Sequence, residues 1–288
     1  MRWIVLLCVL LSSHALGADL NGYQQWLSFT QGAAFNAAGP TGIYAAQDMK
    51  EIQPGQALFL RAAGKTRPLQ WARTPAPGDI ARIDYRKARA TVSGPGISAT
   101  DLLKREGRQL TLPNQMTIRV SSLGKTTLKV WLHNPAAVVK RGFRGLDYFP
   151  YDPKGAITAS FTRNPKPAAV NYLDSRDHAG VMYNMGTVKL PIAGRLHSVR
   201  AYSYKSDWKD VDFLLLLLKD RTSGKSTYGG GRVIELHIPK GAPPRNLSVN
   251  LNMASSFLCA HSDFYNCPIA LADRLDVALA YGEKYPAL

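Results

Sequence analysis

Phe213-Leu-Leu-Leu-Leu-Leu-Lys-Asp220-Arg-Thr-Ser-Gly-Lys-Ser-Thr227-Tyr-Gly-Gly-Gly-Arg232-Val-Ile-Glu-Leu-His-Ile238 is the stretch on which the fold is read. Phe213 to Leu218 is apolar at every position and has the length of a strand, so it reads as a central strand buried on both faces. Asp220 to Ser226 then reads as a loop, and Thr227 to Ile238 as the returning strand of a hairpin. On that strand Tyr228, Arg232, Ile234, Leu236 and Ile238 share one parity, which turns Arg232 toward the apolar side. The glycines at 229–231 admit a bulge that would reverse this parity, or a close approach by a ligand or a second backbone.

The flanking segments repeat the pattern. Leu247-Ser-Val-Asn-Leu-Asn-Met253 alternates, with Asn250 and Asn252 opposite its apolar side. A last strand is read with Leu275, Val277, Leu279, Tyr281 and Glu283 inward. Upstream, the islands at 57–61, 81–86, 87–92, 116–120, 127–132, 156–161, 168–172, 181–185, 186–190 and 196–202 are strand-like. Turn residues separate them, and a hairpin loop is read at 123–125. Residues 18–35 hold a weak helical spacing. Pro150 and Pro153 stiffen the aromatic connector Asp147-Tyr-Phe-Pro-Tyr-Asp-Pro-Lys-Gly155, where a boundary is placed. The expected fold is all-β: two linked antiparallel β-sandwich or barrel-like domains, at 18–145 and 146–288, with one short N-terminal helix.

Met1-Arg2, the apolar run Trp3 to Leu11 and the exit Ala15-Leu16-Gly17 have the plan of a secretory signal at 1–17. A periplasmic or secreted protein of about 270 residues is expected, with no integral membrane segment after signal removal. Lys and Arg number 36 against 20 Asp and Glu, a formal net charge of +16. That balance favours acidic partners, but the cations are scattered and no nucleic-acid motif occurs, so nucleic acid is not expected as a partner.

The order Asp220-x-Thr-Ser-Gly-x-x-Thr-Tyr-Gly-Gly-Gly-Arg232, then Asn252-x-Ala, Cys259-Ala, Cys267-Pro and Ala280-x-Gly-Glu283-Lys, resembles a prokaryotic family known as domain of unknown function sixteen-eighty-four. Phe143-Arg-Gly-Leu-Asp-Tyr-Phe-Pro-Tyr-Asp-Pro153 resembles an upstream segment of the same family, and the likeness covers roughly residues 80–284. It implies a domain identity and no mechanism. Family members commonly carry Asp-Phe-Asn where this chain has Asn250-Leu-Asn252, so any role of that carboxylate would be lost here.

The candidate ligand-binding residues are Arg232, Tyr228, Asp220, Thr222, Asn252, His261 and Glu283. Two readings of Arg232 stay open. In one it closes an ion pair with Glu283; in the other its planar fork faces an opening and takes an anionic group. Cys259 and Cys267 remain once Cys8 leaves with the signal, and an exported chain is expected to join them as a disulfide. Zinc is not expected, because Cys259, His261 and Cys267 lack a local fourth ligand. A Cys259–His261 nucleophile is disfavoured because oxidation would remove the thiolate, and Asp147 with Asp152 reads as a candidate carboxylate pair beside aromatic rings, with packing of those rings as the alternative. The function expected is a non-catalytic binding module, without cofactor or metal, for an anionic small molecule or an envelope polysaccharide. The alternative is a hydrolase with a site near Arg232, Asp220, Tyr228 and His261.

Overall fold

The computed structural model describes residues 4–62, 69–123, 126–243 and 245–285. It divides into two compact units. One comprises residues 1–34, 145–260 and 266–288, the other residues 35–144 with the short segment 261–265.

The N-terminal helix is longer than the sequence pattern suggested: α1 runs Ile4–Ala38. No proline interrupts this stretch until Pro40, so the backbone ladder continues until Gly39-Pro40 ends it. Residues 1–3 of the expected leader lie outside the described residues.

The second unit holds β1 (Ala46–Ile52), β2 (Ala57–Ala62), β3 (Leu69–Ala72), β4 (Ala81–Arg86), β5 (Arg89–Gly94), β6 (Ile97–Asp101), β7 (Gln109–Thr111), β8 (Thr117–Leu123) and β9 (Thr127–His133). They form two open sheets, ordered β1-β9-β8-β7 and β3-β2-β4-β5-β6. Leu58, Leu60, Ile83 and Val92 from one sheet and Ile118, Val130 and Leu132 from the other enter one buried cluster. This is the alternate-residue interior of a sandwich, not a closed barrel. Leu123 pairs with Thr127, which places the expected hairpin, although loop residues 124–125 lie outside the described residues. Asn134, read as a strand terminator, caps the short helix α2 (Pro135–Lys140): its side chain accepts from Ala136 N, and proline takes the first helical position.

The first unit holds β10 (Ala156–Leu173), β11 (Ala179–Ile192), β12 (Arg195–Ser203), β13 (Phe213–Lys219), β14 (Arg232–His237), β15 (Asn246–Asn250), β16 (Ser255–Ser256) and β17 (Asp273–Arg274). Its sheet runs β15-β10-β11-β12-β13-β14-β16, with β17 beside β13 in parallel. The islands at 156–161 and 168–172 are one strand, as are 181–185 and 186–190. Irregularities in register between Arg163 and Ala168, and between Asn184 and Gly186, had made each read as two.

β13 is buried on both faces, as its unbroken apolar run required. Leu214, Leu216 and Leu218 join Ile234, Leu236 and Val249 on one side, while Leu215 and Leu217 join Met182, Tyr202 and Phe257 on the other. β13 and β14 pair antiparallel with Leu216 opposite Ile234 and Leu218 opposite Arg232. The returning strand begins only at Arg232. Residues 228–231 form a turn closed by Gly231 N donating to Tyr228 O at 3.0 Å. Gly231 has φ +107°, and a Cβ there would lie 2.5 Å from Leu218 O, so the third glycine is required by a close backbone approach.

Two further expectations change. Leu247 to Met253 is a strand only to Asn250 and then a tight helical turn over Leu251–Met253. The segment after Arg274 is not a strand of the sheet. It nonetheless keeps the alternation that was read, with Leu275, Leu279 and Glu283 buried. It is tied to the end of β13 through Leu275 N to Lys219 O and Arg221 N to Val277 O.

Candidate functional site

The loop after β13 is organised by its first carboxylate. Asp220 Oδ1 accepts from Thr222 N at 2.7 Å, from Thr222 Oγ1 at 2.6 Å and from Leu279 N at 3.2 Å. Its Oδ2 accepts from the Arg232 guanidinium at 2.5 Å. The Thr222 hydroxyl also meets that of Thr227 at 2.9 Å, and Asp220 N donates to Ser223 Oγ. Every polar residue of Asp220-x-Thr-Ser and of the following Thr227 is therefore used to shape the loop.

Arg232 is enclosed with 2% of its side chain exposed, and Asp220 with none. The guanidinium also donates to Leu279 O at 3.1 Å and to Tyr281 O. Burial pulls its pKa down, and the Asp220 carboxylate, followed by the Glu283 charge, opposes that pull. Parity brought Arg232 inward as read, but its hydrogen-bonding carboxylate is Asp220. Glu283 accepts from Ser256 N at 2.9 Å through Oε2, and its charge also acts on Arg232. The fork that was considered for an external anion is filled by a carboxylate and two carbonyl oxygens of the same chain.

Asn252 is buried and makes a reciprocal clamp on one peptide unit. Its Oδ1 accepts from Asp152 N at 3.0 Å, and its Nδ2 donates to Asp152 O at 2.8 Å. Nδ2 also donates to Asn250 Oδ1, which accepts from Asn252 N as well. Asn250 thus serves as an acceptor cap, a task an aspartate performs equally, so the family's Asp-Phe-Asn pattern needs no catalytic carboxylate to explain it. Asp152 caps the turn at Lys154, and Asp147 pairs with Lys284 at 3.3 Å. Both carboxylates considered as a pair therefore have structural work. The rings between them pack on α1, Tyr151 against Tyr23 and Trp26, and Tyr148 against Phe29.

The closing Gly-Glu-Lys motif meets this connector directly. Phe149 N donates to Gly282 O and Lys284 N to Asp147 O. The Tyr148 phenol is pushed up first by burial and then by the Glu283 charge.

Tyr228 does not share the inward side with Arg232, because Gly231 breaks the pleat between them. Its hydroxyl lies 3.6 Å from Cys259 Sγ, and its ring meets Tyr285 edge-on at 5.2 Å. Cys259 and Cys267 are thiols in the structure. Cys259 N donates to Cys267 Sγ at 3.3 Å, and Cys267 N donates to Ser175 Oγ at 3.1 Å. Ser175 had no signal in the sequence; it sits in the turn between β10 and β11, remote in the chain from both cysteines. His261 belongs to the second unit, where its Nδ1 is 2.9 Å from the Tyr44 hydroxyl. A groove of about 370 Å³ in that unit is lined by Ile97, Ser98, Leu110, Thr111 and Pro113 among others, and holds none of the candidate residues. Among the described residues, no cluster of His, Cys, Asp and Glu is suited to hold a metal ion.

The family model described as "Protein of unknown function (DUF1684)" matches residues 141–284. Among solved structures, the chain is similar to the solution NMR structure of an uncharacterized protein from Haloarcula marismortui. The two are 27% identical, with a TM-score of 0.42, over 50% of this chain and 78% of that one. No functionally curated protein matches.

Proposed function

Because the chain belongs to the DUF1684 family, whose description carries no activity, we propose on the strength of its own surface that it is an exported, non-catalytic binding module for an anionic or carbohydrate-like ligand of the cell envelope. The observation that carries this reading is one polar face of the large sheet. In antiparallel register, paired residues project to the same side. Thr158 pairs with Ser248, Ser160 with Asn246 and Lys189, Lys189 with Ser198, and Thr162 with Thr187. Thr158, Ser160, Thr162, Lys189, Ser198, Asn246 and Ser248 are all exposed. Four neighbouring strands thus present hydroxyls, an amide and a cation at the spacing of a β-sheet, a surface suited to hydrogen-bonding a polyhydroxylated chain. The net charge of +16 favours one that bears acidic groups.

Export is supported by the leader-like order of residues 1–17. In an oxidising compartment Cys259 and Cys267, already in contact, would join as the disulfide expected from their number.

The reading is tested with dextran sulfate and with uncharged dextran of the same length. The purified chain should bind the sulfated polymer, more weakly as salt rises. Lys189→Glu with Ser160→Glu should reduce that binding about tenfold, equivalent to roughly 1.4 kcal/mol, with melting unchanged. Equal binding by the double variant, or no binding by the parent chain, would remove the support for this face.

A further inference from the structure

We propose that Cys259 and Cys267 form a thiol–disulfide exchange site in which Cys259 is the entering sulfur, Cys267 the resolving sulfur, and the substrate a small-molecule or peptide disulfide. The inference goes beyond ligand binding at the sheet and does not depend on it. It gives the cysteine pair a chemical role instead of that of a passive staple.

The pair is asymmetric. Cys259 is half-buried and reachable, whereas Cys267 is buried beside it. Cys267 belongs to the second apolar cluster of the large sheet, and Cys259 packs against that cluster from outside, as Tyr172 and Tyr228 do. The position is held from several sides. Cys259 N donates to Cys267 Sγ, the Tyr228 hydroxyl lies 3.6 Å from Cys259 Sγ, and Ser175 is joined to Cys267 in both directions. The last pairing consists of Cys267 N to Ser175 Oγ at 3.1 Å and Ser175 N to Cys267 O at 2.9 Å. The titratable groups around the sulfurs are the phenols of Tyr172, Tyr204 and Tyr228, with Tyr285 behind Tyr228.

This arrangement favours a thiolate on one sulfur only. The hydrogen bond from Cys267, helped by those from Tyr228 and Ser175 and opposed by burial, brings the Cys259 thiol down to about 6. The Cys267 thiol is pushed up, by its bond to Cys259 and by burial. A reachable low-pKa thiol next to a buried partner is the arrangement that exchange chemistry uses.

The steps balance without a further reagent. The Cys259 thiolate attacks one sulfur of R–S–S–R, the S–S bond breaks, and R–S⁻ leaves and takes up a proton. Cys267 then gives up its proton, and its sulfur attacks Cys259 Sγ in the mixed disulfide and expels the second R–S⁻, which takes up that proton. Two protein thiols are oxidised by two electrons, and one disulfide is reduced to two thiols.

The test uses the full chain carrying Cys8→Ser, so that Cys259 and Cys267 are its remaining cysteines, reduced, freed of reductant and then exposed to oxidised glutathione. The parent chain should lose both thiols and end as an intramolecular disulfide. Cys267→Ser should stop at a mixed disulfide on Cys259, and Cys259→Ser should stay unreacted while folded. A second measurement needs neither of those two variants. In the reduced parent chain, iodoacetamide should label Cys259 first, with a rate midpoint near pH 6. Tyr228→Phe should move that midpoint up by about one pH unit, as loss of a hydrogen bond to a charged group predicts, slowing labelling at pH 5 up to about tenfold. Labelling of both cysteines at one rate, or reaction of Cys259→Ser as fast as the parent chain, overturns the assignment. Neither result bears on glycan binding, so the two proposals fail separately.

Discussion

The Asp220 carboxylate and the Arg232 guanidinium meet at 2.5 Å across the β13–β14 hairpin, and both side chains are withdrawn from solvent. The pair explains why the family signature spans this stretch. Asp220 begins the loop, Gly231 lets the chain pass Leu218, and Arg232 returns to hold the carbonyls of Leu279 and Tyr281. Removing either charge should be costly, but not equally. Asp220→Ala strands a buried guanidinium and frees Thr222 and Leu279 N–H groups, and should lower stability by about 3–5 kcal/mol. Arg232→Met leaves a carboxylate that still has three donors and should cost less. Urea unfolding of both variants checks the order; a loss under about 1 kcal/mol for Asp220→Ala would show that the pair is dispensable.

Leu216 has no exposure and lies opposite Ile234 in the doubly buried strand. Leu216→Asp places a carboxylate where no partner exists among the neighbours of that apolar cluster. It should cost more than about 4 kcal/mol, enough to unfold the unit. A melting curve that overlays the parent's would contradict the burial of β13.

Asn252 donates two hydrogen bonds through Nδ2 and accepts one through Oδ1. Asn252→Asp keeps the shape and removes both donations, setting a carboxylate against Asp152 O and Asn250 Oδ1. A loss of about 3 kcal/mol is expected from unsatisfied buried acceptors. Asn250→Asp preserves the acceptor cap and should be near neutral. Thermal melts of the two single variants decide the matter, and similar losses in both would refute the division of roles.

His133 in the second unit is buried, stacked on Trp131 at 5.9 Å, and its pKa is lowered to about 4 by burial and then by the Arg119 charge. Its folded pKa lies below the ordinary 6.5, so the unfolded chain takes up a proton first as pH falls. Stability from this group is present above about pH 6.5 and is lost on the way to pH 4, by about 3 kcal/mol. Urea midpoints of the parent chain and His133→Gln, compared at about pH 7.5 and pH 4.5, should show a smaller acid loss in the variant. Equal losses would mean that His133 is not the group being protonated.

The local patterns were legible in the residues themselves. An apolar run without a polar face has to be buried on both sides, so the central place of β13 follows from its residues alone. Alternation made Arg232, Leu279 and Glu283 inward-facing, and turn formers marked the hairpins. Pairing was a different matter. Which carboxylate Arg232 would meet depended on the loop's hydrogen bonds to Asp220 and on a single positive φ at Gly231. That glycine also sent Tyr228 to the opposite face, beside Cys259. Asn252 found its partner in a peptide unit a hundred residues away, and Ser175 reached Cys267 from a turn that carries no mark in the sequence. Periodicity reports only which side of its own element a residue occupies. The identity of the neighbour comes from sheet order, and sheet order arises from long-range closure of the chain, which adjacent residues do not encode.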